Sequence, residues 1–153
     1  MSTRAIAFLK QKRIPYEVVK YTHAEKGAEF AARATGYALE RTVKTLVVEL
    51  DRRRYGLALL PGHRELDLKK LAALCGVKRT AMVDIQTAER LTGYLVGGIS
   101  PFGTQQQLET FMEDSILANE AVLINGGQRG VMLKMAPGDI AAALGCKVLS
   151  LAK

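Results

Sequence analysis

The sequence predicts a single α+β domain whose mixed, largely antiparallel sheet curls toward a barrel and carries flanking helices. Two observations lead to this fold class. Alternating strand-like segments recur as hairpins, and amphipathic helical segments are interspersed with them without a regular strand–helix–strand repeat. Hydrophobic residues make up 48% of the 153 residues, which suffices for one core. No linker, repeat or low-complexity tract divides the chain, so residues 1–153 are expected to form one domain.

The N-terminal half predicts two helices and three strands. Each helix has a boundary signal, namely a side chain that can cap its start or a glycine that can close its end. The predicted elements are a helix from Thr3 to Lys12, a strand at 16–21, a helix at 27–35 closed by Gly36, and strands at 43–50 and 55–60 joined through Asp51-Arg52-Arg53-Arg54.

The C-terminal half predicts three helices and four strands. Asp67 and Asp84 can cap two of the helices, and Pro137 opens the third. The predicted elements are helices at 67–75, 84–91 and 137–144, strands at 108–112, 121–124, 131–135 and 148–151, and a tight turn at Asn125-Gly126-Gly127.

Basic residues are concentrated in the first half of the chain. The net charge is +7, and residues 1–79 contain 17 Lys or Arg against 8 Asp or Glu, whereas residues 80–153 contain 5 against 7. This asymmetry favours a polyanionic partner such as nucleic acid at the N-terminal half. A solvated basic surface without a partner is the alternative.

The sequence contains no signal for a metal site, a disulfide or a membrane span. Cys75 and Cys146 have no paired spacing, and Cys75 is expected in the core beside Leu71 and Leu74. The two histidines, His23 and His63, lack a metal-ligand partner at helical spacing, so we expect surface or locally bonded histidines. No apolar run approaches the ~18 residues of a membrane span, and no signal-peptide core is found. We therefore expect a cytoplasmic protein without a metal or cofactor.

Two catalytic motifs fail at single positions. Gly98 and Gly103 have P-loop spacing, but Thr104 stands where the lysine belongs. Ser100 follows Gly98 as in a nucleophile elbow, but Phe102 replaces the second glycine. An enzyme with this sequence would have to act through positioning and electrostatics.

The segment Gly97–Gly103 is the best candidate for a binding loop. Its three glycines allow close approach to backbone N–H groups that can bind a carbonyl or phosphate oxygen, although a sharp turn is the alternative. Lys44, which begins an apolar strand, either directs its ammonium at such an oxygen or lies in solvent at an edge. Tyr21 and Asp139 are ambiguous between a binding role and ordinary packing or helix-start roles.

Five segments together resemble the YbaK family of trans-editing aminoacyl-tRNA deacylases, which includes bacterial Cys-tRNA(Pro) deacylases. The resemblance covers nearly the whole chain, and its long glycine-containing run is the most specific part. The segments are Lys44-Thr45-Leu46, 66–70 (LDLKK), 92–103 (TGYLVGGISPFG), 125–130 (NGGQRG) and 137–140 (PGDI).

The resemblance implies a single mixed α/β domain with one pocket. Lys44 corresponds to the essential lysine. The chain departs from the family pattern at Asn125, where a serine can stand, and at Gln128, which displaces a basic residue while Arg129 is retained. The implied substrate-binding residues are Tyr21, Thr45, Gly97, Gly98, Ile99, Ser100, Pro101, Asn125, Arg129 and Asp139.

The resemblance also implies a mechanism and partners. The thiol of a misacylated cysteine attacks its own ester carbonyl, so no nucleophile of the enzyme is required. The aminoacyl end of tRNA(Pro) is the expected ligand, prolyl-tRNA synthetase is the expected partner, and the basic half, with Arg52–Arg54 as one candidate, would hold the acceptor stem. A deacylase for Ala-tRNA(Pro) or another misacylated tRNA, and a non-catalytic binding module, remain open, as does the oligomeric state.

Overall fold

The structure is a computed structural model in which residues 2–22 and 28–153 are described. Helices and strands alternate irregularly, as predicted. The helices are α1 (Arg4–Gln11), α2 (Ala28–Thr35), α3 (Leu68–Cys75), α4 (Ile85–Thr92) and α5 (Pro137–Leu144), with short 3₁₀ turns at Leu39–Arg41 and Asp114–Ala118. The strands are β1 (Glu17–Lys20), β2 (Thr42–Glu49), β3 (Tyr55–Pro61), β4 (Ala81–Met82), β5 (Glu109–Glu113), β6 (Val122–Gln128), β7 (Val131–Met135) and β8 (Lys147–Leu149).

The described strands form one mixed sheet in the order β1-β7-β6-β2-β3-β5-β8, with β4 added on β2. The pairs β1–β7, β6–β7, β2–β3 and β2–β4 are antiparallel, whereas β2–β6, β3–β5 and β5–β8 are parallel. The predicted fold class, a mixed and largely antiparallel sheet with flanking helices, is confirmed.

Helix boundaries follow the local signals in the sequence. The side chains of Thr3, Asp67 and Asp84 accept hydrogen bonds from backbone N–H groups three residues later, at 3.1, 3.0 and 2.7 Å. Gly76 and Gly93 end their helices with φ of 68° and 78°, a conformation that costs little only for glycine. Because caps depend on neighbouring residues alone, these boundaries can be predicted from the sequence.

The predicted tight turn at Asn125-Gly126-Gly127 is wrong. All three residues belong to β6, which bulges between Asn125 and Gln128, and the chain reverses after Gln128. Two side-chain contacts hold the bulge: Asn125 Oδ1 accepts from Gly127 N–H at 2.7 Å, and the hydroxyl of Thr3 donates to Gly126 O at 2.6 Å. A contact from the distant N-terminus therefore stabilises strand where the local sequence favours a turn.

Other differences are smaller. The sequence does not predict β4, because two residues give no pattern, and β8 lies at 147–149 rather than 148–151. Cys75 is half-buried against the cluster around Leu71, while Leu74 is exposed. His63 is exposed. His23 and the predicted helix start at residue 27 lie outside the described residues.

The two faces of the sheet bury separate apolar clusters. Ala5, Ile6 and Leu9 of α1 pack with Ile140 of α5 on one face, and Leu71 of α3 packs on the other. Among the described helices, none has the length and apolar character that spanning a membrane requires.

Buried Glu113 fastens the C-terminus to this core. Its Oε1 accepts from the N–H groups of Leu151 and Ala152 at 2.9 and 3.2 Å. Burial alone would raise the pKa of Glu113, but these bonds and those from Ser115 lower it to about 2. The carboxylate thus remains charged across the physiological range and keeps the terminal segment against β5.

Candidate active site

The sheet is split along one edge of β2. On that edge β6 pairs only with Thr42 and Val43, and β4 pairs only with Val48 and Glu49. The other edge pairs with β3 along nearly the whole strand. Among the described residues, the middle of β2 therefore has a strand neighbour on one side and none on the other, which leaves a gap in the described sheet.

The hydrogen-bond alternation of β2 determines which residues face this gap. Gly62 N–H donates to Thr42 O at 2.7 Å and Leu50 N–H donates to Arg54 O at 2.6 Å, so the even-numbered residues bond toward β3. In an antiparallel pair the intervening residues direct their N–H and C=O groups to the opposite edge. The odd-numbered residues of β2 therefore face β6, the gap and β4.

Thr45 is the residue left at the gap. Val43 is paired with Ile124 of β6, and the carbonyl of Val47 accepts from Val83 N–H at 3.2 Å. Neither the β2–β6 pairing nor the β2–β4 pairing includes Thr45, because β6 diverges from β2 at its bulge. The backbone N–H and C=O of Thr45 are consequently directed into a space between two strands.

A cavity of about 330 Å³ occupies this space. It lies near the lower end of the ~300–1,000 Å³ typical of small-molecule sites. Because the cavity passes through the gap, side chains from both faces of β2 reach it. Its described lining residues are Tyr21, Ala31, Val43, Lys44, Thr45, Leu46, Val96, Gly97, Ile99, Asn125 and Met132.

The hydroxyl of Thr45 has no partner. In residues 2–22 and 28–153, Thr45 Oγ1 is the buried side-chain nitrogen or oxygen that makes no hydrogen bond. Leaving a buried hydroxyl unpaired costs roughly 1–3 kcal/mol. Such a cost in a cavity wall is offset when a ligand supplies the missing hydrogen bond.

Lys44 supplies the charge of the cavity. It is half-buried on β2, and it is the one charged residue among the lining residues named above. Its neighbours Val43 and Leu46 are apolar, so the local dielectric constant is low and an ammonium interacts strongly with an anionic oxygen. Lys44 is therefore the described lining residue that can interact with a negative or developing negative charge on a ligand.

The glycine loop, residues 97–103, forms the wall opposite β2 and is held by side chains. Asn125 Nδ2 donates to Gly97 O at 3.1 Å, and Glu89 Oε2 accepts from Val96 N–H at 2.8 Å. Tyr94 donates its hydroxyl to Phe102 O at 2.6 Å, and burial raises the pKa of Tyr94 to about 12. The tyrosine thus stays protonated and keeps this bond at any physiological pH.

Gly98 allows the loop to lie directly on the β6–β7 hairpin. A Cβ atom at this position would lie 2.9 Å from Arg129 N and 3.0 Å from the carbonyl carbon of Gln128. Both contacts are to backbone, which cannot rotate away as a side chain can. The absence of a side chain at Gly98 therefore allows the loop, whose Gly97 and Ile99 line the cavity, to lie against the hairpin.

Comparison with known families agrees with this geometry. The model of the aminoacyl-tRNA editing domain matches residues 22–143, which include β2, the glycine loop and the bulge of β6. The chain belongs to this family. The resemblance found in the sequence is thereby confirmed.

The relatives of this chain carry names that refer to different aminoacyl-tRNAs. An Enterococcus faecalis protein, provisionally named a Cys-tRNA(Pro)/Cys-tRNA(Cys) deacylase EbsC, is 34% identical over 140 residues, covering 90% of this chain and 85% of the relative. The multifunctional Ser/Thr-tRNA deacylase ProXp-y of Escherichia coli K12 is 29% identical, covering 87% and 83%. A crystal structure described provisionally as a trans-editing enzyme for prolyl-tRNA synthetase superposes with a TM-score of 0.88 at 25% identity, covering 98% and 95%.

The editing-domain cavity brings together six of the predicted site residues. Tyr21 and Asn125 lie on the β1 and β6 side, Lys44 and Thr45 on β2, and Gly97 and Ile99 on the loop. Most of these residues stand out in the sequence because each places a polar group or a glycine in an otherwise apolar stretch. Their contact with substrate stays a prediction.

The remaining predicted site residues lie elsewhere. Ser100 and Pro101 are buried behind the loop wall, and Ser100 Oγ accepts from Phe102 N–H at 3.2 Å. Gly98 and Arg129 border a neighbouring groove, and Asp139 lies in the first turn of α5. Their direct substrate contacts therefore remain predictions without support from the cavity lining.

Sequence reasoning missed the apolar part of the lining and one positioning residue. Ala31, Leu46, Val96 and Met132 line the cavity, but an apolar residue on a strand or helix is indistinguishable from core in the sequence. Glu89, which orients Val96, lies on α4 outside the glycine run. Within the described parts of the chain, no cluster of three or more potential metal-ligating side chains is found.

Proposed function

We propose that the chain is a trans-editing aminoacyl-tRNA deacylase that removes cysteine from Cys-tRNA(Pro), in partnership with prolyl-tRNA synthetase. The observation that carries the proposal is the cavity at the gap of β2, where Lys44 and Thr45 face one small space. The names of the E. faecalis relative and of the superposing trans-editing structure support this substrate and this partner.

The cavity offers no activated nucleophile of its own among its described lining residues. The hydroxyl of Thr45 is its best candidate but has no basic partner, and Ser100 is buried and hydrogen-bonded away from the lining. An activated serine or threonine nucleophile needs an adjacent general base. The attacking group in this proposal is therefore supplied by the substrate, and water is the attacking group in the alternative below.

Cysteine can supply this group. The thiol loses its proton to solvent, and the thiolate attacks its own ester carbonyl carbon to form the C–S bond of a cyclic thiolactone. The bond from that carbon to the ribose oxygen breaks, the ribose oxygen takes up a proton from solvent, and water then hydrolyses the thiolactone. A thiol with a pKa of ~8.5 is partly ionised at neutral pH, whereas a serine hydroxyl is not. Holding the two reacting groups of one molecule in the required orientation can itself accelerate such a reaction strongly.

Lys44 and the gap assist the same step. A negative charge develops on the carbonyl oxygen, in a cavity that Lys44 lines and toward which the backbone N–H of Thr45 is directed. Groups fixed in advance around a developing oxyanion stabilise the transition state without reorganisation. Both groups therefore act as electrostatic and hydrogen-bonding aids.

A Ser- or Thr-tRNA deacylase is the second candidate. The specific observation in its favour is the unpaired Thr45 hydroxyl, which can hydrogen-bond a hydroxyl of the substrate. The name of the E. coli relative, a Ser/Thr-tRNA deacylase, is in line with this alternative. Such an enzyme would need water as the attacking group.

Deacylation of Cys-, Ala-, Ser-, Thr- and Pro-tRNA(Pro) by the purified protein tests the proposal. We expect Cys-tRNA(Pro) to be cleaved fastest, with a rate that increases as the pH approaches the thiol pKa of ~8.5, since thiolate is the attacking species. Pro-tRNA(Pro) is the control and should survive. Equal rates for cysteine and serine would favour the second candidate, and no turnover of any substrate would favour a binding module.

Thr45→Val tests the role of the hydroxyl. Valine has a similar shape and removes the unpaired oxygen, so the free energy of unfolding should stay the same or increase by up to about 1 kcal/mol. If substrate pairs with Thr45 Oγ1, kcat/KM should fall by roughly tenfold, since removing a hydrogen bond costs about 1–1.5 kcal/mol. Thermal melts and single-turnover assays measure both effects. A variant that is less stable and fully active would contradict the assignment.

A further inference from the structure

Four basic residues from two separate sequence segments flank the far end of β2. Arg52 and Arg53 form the tip of the β2–β3 hairpin, and Lys78 and Arg79 precede β4. All four are exposed. We refer to them as the hairpin-end cluster.

The pairing of β4 with β2 brings these segments together. Val48 pairs with Met82 and Glu49 pairs with Ala81 in antiparallel register. Lys78 and Arg79 therefore lie two to three residues before a strand that pairs with the end of β2, and Arg52 and Arg53 lie three to four residues after that pairing. The sequence, in which the two segments are about 25 residues apart, gives no sign of this juxtaposition.

The charges of the cluster are not neutralised by ion pairs. Among the described residues, acidic partners are found for the neighbouring Arg54, which contacts Glu109 at 2.7 Å, and for Lys147, which contacts the same carboxylate at 2.8 Å. No such ion pair is found for the four cluster residues within the same described ranges. Asp51 is the acidic residue in the turn, and its Oδ1 accepts from Arg52 N–H at 3.1 Å.

The hairpin tip keeps these arginines in a strained backbone. Asp51, Arg52 and Arg53 have φ of 66°, 36° and 62°, a left-handed region in which glycine is the usual residue. Strain of this kind persists at functional sites, where the side chain is needed despite its cost. Three consecutive non-glycine residues in this region make the hairpin tip a candidate functional segment.

The cluster lies at a distance from the cavity that fits the proposed substrate. Six residues along β2 and its end lead from Thr45 to Asp51, which at ~3.3 Å per residue is about 20 Å. At roughly 3.4 Å per stacked nucleotide this corresponds to about six nucleotides, which reaches past the short unpaired 3′ end of a tRNA into its duplex.

We propose that the hairpin-end cluster binds the phosphate backbone of the acceptor duplex of the aminoacyl-tRNA whose 3′ end occupies the cavity. The proposal rests on the proposed function for the identity of the ligand. Exposed cations that neutralise phosphates release the counterions bound to the RNA. This contact therefore adds affinity without recognising the base sequence. It explains how a small domain holds a substrate much larger than the cavity described above.

The test compares Arg52→Gln/Arg53→Gln/Arg79→Gln with the charge-matched control Lys10→Gln/Lys12→Gln/Arg13→Gln, which changes exposed residues at the end of α1. Binding of uncharged tRNA is measured as a function of salt concentration. The log–log slope should decrease by about two for the cluster variant, at ~0.7–0.9 for each phosphate that the variant no longer neutralises, and remain unchanged for the control. Affinity at about 100 mM salt should decrease by roughly tenfold.

Deacylation separates this contact from the chemistry of the cavity. For the cluster variant, KM for full-length aminoacyl-tRNA should increase about tenfold with kcat unchanged, whereas an aminoacyl trinucleotide lacking the duplex should be cleaved as by the parent. Equal effects of both triple variants, or an unchanged salt slope, would overturn the proposal. If the cluster variant keeps its tRNA affinity but is no longer stimulated by prolyl-tRNA synthetase, the cluster contacts a protein partner. That result would also overturn the proposal.

A parent protein that binds tRNA through the cluster but cleaves no aminoacyl ester would refute the proposed function and leave the binding surface in place. Arg52→Gly/Arg53→Gly gives an independent readout. Glycine relieves the left-handed strain, so Tm should increase while tRNA affinity decreases. An increase in Tm with unchanged affinity would show that the arginines are not retained for RNA.

Discussion

Lys44→Ala is expected to lower kcat/KM for Cys-tRNA(Pro) by about 10²–10³ while the protein stays folded. The lysine is the charged residue of the described cavity lining, and it lies beside the gap toward which Thr45 directs its backbone N–H. Removing one preorganised group that stabilises an oxyanion typically has an effect of this size. Single-turnover deacylation measures the decrease, and circular dichroism and thermal melts establish that the fold is retained.

Lys134→Ala is the matched control, because Lys134 is also a half-buried strand lysine but lies on β7 and outside the cavity lining. Its activity should stay within about twofold of the parent. The decrease in Lys44→Ala should appear in kcat and kcat/KM together, since the charge acts in the transition state. A folded Lys44→Ala protein with near-parental turnover would remove the lysine from the mechanism.

The elements that depend on neighbouring residues can be predicted from the sequence, and those that depend on distant contacts cannot. Thr3, Asp67 and Asp84 are recognisable as helix caps because a cap bonds to N–H groups three residues away. The turn predicted at 125–127 is wrong because the hydroxyl of Thr3, 123 residues away from Gly126, bonds within that segment and keeps it in β6. Local turn preference is overridden by tertiary structure.

The candidate site likewise combines residues that can be predicted from the sequence with a geometry that cannot. Lys44, Thr45 and the glycine run stand out in the sequence because polar residues and glycines are unexpected in apolar stretches. The gap into which Thr45 directs its backbone groups depends on where β6 and β4 stop pairing with β2. No local sequence pattern determines where that pairing stops. The apolar lining from α2 and β7 cannot be distinguished from core for the same reason.

Gly98→Ala is expected to lower kcat/KM by about 10²-fold, through displacement of the glycine loop. The added Cβ would lie 2.9–3.0 Å from backbone atoms of Gln128 and Arg129, so the loop or the hairpin beneath it has to move. Gly97 and Ile99, which flank the substitution, line the cavity. A misplacement of ~1 Å in a site that works by orientation can cost this much in rate.

Gly138→Ala is the matched control, since a Cβ at Gly138 meets no atom within 4 Å and its backbone lies in α5. Alanine there should raise the free energy of unfolding by up to about 1 kcal/mol and leave turnover unchanged. If Gly98→Ala also lowers Tm, Asn125→Ser gives a displacement without added volume, because it removes the 3.1 Å bond to Gly97 O and shortens the side chain that accepts from Gly127 N–H at 2.7 Å. We expect a decrease of roughly tenfold for that variant, about the value of one hydrogen bond to the loop. Full activity of both Gly98→Ala and Asn125→Ser would mean that the loop does not position the substrate, and the proposed chemistry would then depend on β2 alone.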